Sequence, residues 1–167
     1  MRLAVGDIVV YRSHGAGPVT ARESKVVLGR RQDVVVLALT GGLRVELPLE
    51  RANELLRPLA TESDLSRVQK VLGADQSVSN ETWLRRQRQS VATLNDGDPV
   101  GLARIIRDSA RREAARSAKG SNSRLSGWER QIAAKARGLL STEIAFARSV
   151  EPEEANVWID RQLDQPR

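Results

Sequence analysis

At 167 residues, with 40% apolar content and a net charge of +6, the chain can bury one core or two small ones and is too apolar to stay disordered. It has no cysteine and a single histidine, which removes disulfide frameworks, thiolate metal sites and cysteine nucleophiles. No stretch approaches the ~18 apolar residues of a membrane span, and the opening MRLAVGDIVVYR has no sustained apolar segment, so a soluble cytoplasmic protein without membrane attachment is expected.

The first part of the chain alternates short Val-rich runs with turn signals. VGDIVVY at 5–11, GPVTARE at 17–23, DVVVLAL at 33–39 and LRVELP at 43–48 read as strands. HGAG at 14–17, LGRR at 28–31 and TGG at 40–42 separate them, and Gly41-Gly42 suits a tight hairpin turn with positive φ. Strands this short and this closely spaced predict a small antiparallel β-barrel of Tudor or SH3 type over residues 1–58, open on one edge. Without catalytic groups, such a barrel is an interaction module.

From residue 59 onward the apolar period becomes helical. Leu65, Val68, Val71 and Leu72 recur behind Thr61 and Asp64, a pair resembling a capping box, and Gly73 supplies the stop. A polar linker at 73–80 leads to a second helix from residue 80 or 81 to Leu94, ended by NDGD. Asp98 as N-cap and Pro99 at the first helical position start a third, with Leu102, Ile105 and Ile106 on its buried face. After a loop at 119–127, Ser126 and Glu129 form the capping box of a fourth helix, and PEEANVWIDRQL closes the chain as a short amphipathic helix. The fold class is α+β: the barrel, then an all-α bundle over residues 59–167.

Charge is concentrated in one segment. Residues 83–137 hold 13 Lys and Arg against 5 Asp and Glu, the footprint expected for a polyanionic partner, although a solvated helical surface gives the same count. Catalytic constellations are missing. His14 lies in the HGAG turn, where it satisfies local backbone groups, and no phosphate-binding or dinucleotide motif appears, so neither enzyme activity nor a cofactor is expected. Aromatics are 3% of the chain, and Trp83 stands directly before an arginine run in ETWLRRQRQ. It either anchors its helix through the stripe Trp83, Gln87, Val91 and Leu94, which Gln87 interrupts, or projects from the first turn. Trp128 and Trp158 are expected to pack within the molecule.

VGDIVVYRSHGAGPV at 5–19 with LRVELP at 43–48 resembles the N-terminal module of the CarD/CdnL family of bacterial transcription regulators. NETWLRRQRQ, GDPVGLARIIRDSARRE and ERQIAAKARGLLSTEIA resemble its helical C-terminal half. The resemblance implies a nucleoid-associated monomer that binds the RNA polymerase β subunit through the Tudor-like domain and promoter DNA, largely independently of sequence, through the helices. It further implies that Trp83 wedges into the minor groove at the upstream edge of the transcription bubble, with Arg85, Arg86 and Arg88 on phosphates, so that the open promoter complex is stabilised. By the same resemblance, Lys25, Val27, Arg44 and Glu46 are expected in the region that contacts the polymerase. Glu46 departs from the pattern, because a basic residue often stands two positions before the proline; Arg44, two residues away on a strand, shares its face. Two other readings stay open: an independent DNA-binding repressor or architectural protein, and an adaptor that binds only protein.

Overall fold

The computed structural model describes residues 3–75, 81–120 and 125–165; part of the linker at 73–80 and part of the loop at 119–127, Arg124 included, lie outside the described residues. The chain forms two compact units, Met1–Leu59 and Ala60–Arg167.

The first unit is a five-stranded antiparallel sheet. Strand β1 spans Ile8–Tyr11, β2 Gly15–Val27, β3 Arg30–Leu39, β4 Leu43–Pro48 and β5 Leu56–Pro58, in the spatial order β4-β3-β2-β1-β5. The ladder leaves β4 and β5 as edges, so the expected strands are present as an antiparallel sheet. Two elements were not expected: β5, and helix α1 at Leu49–Leu55, both drawn from a segment too short to show a period. Alternate residues Val35, Leu37 and Leu39 of β3 face a core shared with Val9, Val19, Leu47, Ala52 and Leu56. Val34 and Val36 point to the other face yet are also buried, which accounts for the unbroken apolar run of this central strand.

Turn chemistry follows the glycines. Leu28 and Gly29 have φ of 51° and 76° and close the β2–β3 hairpin between Val27 and Arg30, while Gly41 and Gly42, at 83° and 79°, close the next one. The HGAG segment is less of a turn than its composition implies. A 3₁₀ turn at Arg12–His14 makes the reversal, with the His14 ring stacked on Tyr11 at 4.4 Å, and β2 begins at Gly15. Gly17 lies inside β2 because a Cβ there would stand 2.1 Å from the Ala38 carbonyl oxygen.

The second unit is helical: α2 Glu62–Leu72, α3 Trp83–Asp96, α4 Pro99–Ala118, α5 Gly127–Arg148 and α6 Pro152–Leu163. The caps read from sequence are formed. Thr61 and Asp64 make the capping box of α2, Ser126 and Glu129 that of α5, and Asp98 accepts from Gly101 N–H at 2.7 Å at the start of α4. The core gathers Leu65, Val68 and Leu72 from α2, Leu102, Ile105 and Ile106 from α4, Leu140 and Ile144 from α5, and Ile159 from α6. Helix α3 adds only Leu94, and Gly97, in the left-handed conformation, ends it. Among the described residues, no helix is long and apolar enough to cross a membrane.

Candidate nucleic-acid interface

Trp83 is the first helical residue of α3, after Thr82 as N-cap. With ~1.5 Å of rise per residue, it stands about 16 Å along the helix from Leu94. Trp83 is 44% exposed, and Val91, also on the suspected anchoring stripe, is 42% exposed. Of the stripe, only Leu94 is buried and anchors α3. The indole instead meets Trp128, the second residue of α5, edge to face, with centroids 6.0 Å apart and planes at 66°. The first turns of two helices thus converge at this pair, and each brings the partial positive charge of its N-terminus.

The neighbouring arginines divide into two groups. Arg85 is exposed and pairs with Glu81 at 3.3 Å, one helical turn away, and Arg88 is exposed. Arg86 is half-buried and donates to the Glu81 backbone carbonyl, so it braces the start of the helix. A cleft of about 340 Å³ opens behind it between α3 and α4, with Arg86, Gln89, Arg104 and Arg112 in its wall. Sequence reasoning missed Arg104 and Arg112, because only the packing of α3 on α4 sets them beside Arg86. Burial lowers the Arg112 pKa; Glu129 and Asp108 oppose the shift, and the nearby Arg86 and Arg116 charges add to it.

Glu129 ties this region together. It is 5% exposed, accepts from Ser126 N–H and Oγ at 3.0 Å, and lies 3.5 Å from Arg112 and 3.8 Å from Arg116 of α4. Burial alone would raise its pKa, but the Ser126 hydrogen bonds and the two guanidinium charges outweigh burial and lower it. Trp158 packs partly buried against the helical core, with the Arg148 guanidinium 4.7 Å above its ring.

The second group of expected residues lies on the sheet. A β-bulge at Thr20 shifts the β2–β3 register between Val19 and Ala21. The shift reverses which residues face outward, so Glu23, Lys25 and Val27 share the face of Val34 and Val36 instead of the core face of Val19. Glu46 and Arg44 lie on that same face of β4. All four expected residues, Lys25, Val27, Arg44 and Glu46, therefore share one face, with Val27 at the β2–β3 hairpin end. Lys25 Nζ spans β3 to reach both Glu46 carboxylate oxygens at 2.9 and 2.8 Å, with Glu23 at 3.1 Å, while Arg44 reaches Glu46 at 3.2 Å. The hydrogen bonds that Lys25 donates to Glu46 are the main cause both of the raised Lys25 pKa and of the lowered Glu46 pKa. Two cations and two carboxylates leave this patch neutral.

Residues 3–60 match the model of the CarD-like/TRCF RID domain, and residues 67–160 match that of the CarD C-terminal domain. These matches cover most of the chain, which belongs to the CarD/CdnL family of RNA polymerase-interacting transcription regulators, whose domains are regulatory and non-enzymatic.

Proposed function

We propose that this protein binds the RNA polymerase β subunit and stabilises the open promoter complex, with Trp83 as a wedge in the minor groove at the upstream edge of the bubble. The exposed Trp83 ring at the first position of α3, supported from one side by Trp128, carries this reading. A side chain that served only as an anchor would be enclosed. Inserting an apolar ring between base steps costs a few kcal/mol of unstacking in intact duplex and less at a fork, where stacking is already broken. The contact therefore favours the melted state, and only such differential binding shifts a closed-to-open equilibrium. Arg85 and Arg88 contact phosphates, with Arg86 bracing the helix beside them; phosphate contacts fix position and leave promoter choice to the polymerase.

Docking on the polymerase is assigned to the outer face of β2, β3 and β4, through Lys25, Val27, Arg44 and Glu46. No cofactor takes part, and the protein acts as a monomer. The test is the lifetime of open complexes formed by the cognate polymerase. Wild-type protein lengthens it, and Trp83→Ala, checked for folding, removes most of the gain; each tenfold change in lifetime corresponds to ~1.4 kcal/mol. A Trp83→Ala variant with the wild-type effect would eliminate the wedge.

A further inference from the structure

We propose that Trp128 is a positioning residue for this wedge, holding the Trp83 ring in one orientation before DNA arrives; the inference rests on the reading of Trp83 given above. Among the described residues, Trp83 has little else to orient it. Its helix has Leu94 as its only buried residue, about three turns away, and the Thr82 side chain makes no capping bond. The helical turn that carries Trp128 is anchored through Glu129, the next residue. The Ser126–Glu129 capping box sets the first turn of α5, and Arg112 and Arg116 of α4 hold Glu129 at 3.5 and 3.8 Å. Trp128 itself is half-buried. Its indole meets Trp83 at 6.0 Å and 66°, the edge-to-face geometry that the ring quadrupole favours. An exposed indole without a neighbour samples several rotamers, and ordering it costs free energy at the moment of binding. Trp128 meets that cost within the folded protein.

The experiment compares full-length Trp83→Ala, Trp128→Ala, Trp128→Phe and the double Ala variant in the open-complex lifetime assay, with thermal melts confirming folding. Trp128→Ala is expected to reduce the lifetime gain about threefold to tenfold, as loss of one ordered side chain implies. Trp128→Phe keeps an aromatic partner and restores most of the gain. The double variant should be no worse than Trp83→Ala, because Trp128 acts through Trp83. If Trp128→Ala does not fold, Trp128→Leu replaces it, an apolar side chain that cannot make the ring contact. Circular dichroism of the free protein tests the pair without polymerase: coupling between the two indoles should give a far-ultraviolet couplet that either Trp83→Phe or Trp128→Phe abolishes. Wild-type lifetimes for Trp128→Ala alongside a defective Trp83→Ala would overturn the positioning role, as would additive losses in the double variant or a couplet that survives both Phe substitutions. Full activity of Trp83→Ala would instead remove the wedge reading itself, and the positioning role with it.

Discussion

Glu46 sets the electrostatics of the proposed docking face. Its carboxylate occupies Lys25 and Arg44 together, so an acidic partner meets a neutral patch where the family pattern often has a basic one. Glu46→Gln frees Arg44, leaves Lys25 with Glu23 alone and makes the patch net positive, and is expected to tighten polymerase binding about twofold to fivefold at low salt, the range of an exposed charge contact, with the gain fading as salt rises. A titration of labelled protein with polymerase at several salt concentrations measures this, and weaker binding by Glu46→Gln would mean that Glu46 itself contacts the partner. The pKa directions fix the pH behaviour. Glu46 is lowered and Lys25 raised, so the pair stays charged across neutral pH and the difference between wild type and variant is constant there. Wild type approaches the variant only as pH falls through the lowered Glu46 range. Little of this was legible in sequence. That Arg44 and Glu46 share a face follows from strand alternation, but Lys25 joins them only through the bulge at Thr20, which no local signal announces.

Among the elements, those with local signals were the most readable. Thr61 with Asp64, Ser126 with Glu129 and Asp98 with Pro99 each mark a helix start within four residues, and each helix begins there. Helix α1 and strand β5 were not read, because seven and three residues are too few to display a period. The α2 cap gives a direct stability test. Thr61→Ala should destabilise the helical unit by about 1 kcal/mol, the usual worth of an N-cap side chain. The hydrogen bonds from Thr61, with Arg67 beside it, hold the Asp64 carboxyl at about 2. Because the folded value lies below the ordinary one, Asp64 contributes its full stability above about pH 4 and loses it as pH falls toward 2. The stability gap between wild type and Asp64→Asn should therefore narrow across that window. Denaturant unfolding followed by tryptophan fluorescence reads it, since Trp83, Trp128 and Trp158 all lie in the helical unit.

At the scale of the whole molecule, the sequence divided sheet from helices and located the basic segment, because composition and period change together near residue 60. It did not reveal which side chains of this segment the fold brings together. Trp83 and Trp128 are 45 positions apart, and Arg86 meets Arg104 and Arg112 only when α3 lies on α4. Helix α3 also differs from its neighbours in having Leu94 as its single buried side chain. A segment with so little buried apolar surface opens locally at a small fraction of the global unfolding free energy. Its amides should take up deuterium at least about tenfold faster than those of α4 and α5, each opening of α3 costing at least ~1.4 kcal/mol less. Hydrogen exchange with mass spectrometry checks this on the free protein, and protection of α3 within an open complex would report engagement directly. Equal protection of all the helices would mean that α3 unfolds only with the bundle. If α3 does open alone, closing it contributes to DNA affinity, and substitutions that raise its helix propensity should strengthen binding without touching a single contact with the nucleic acid.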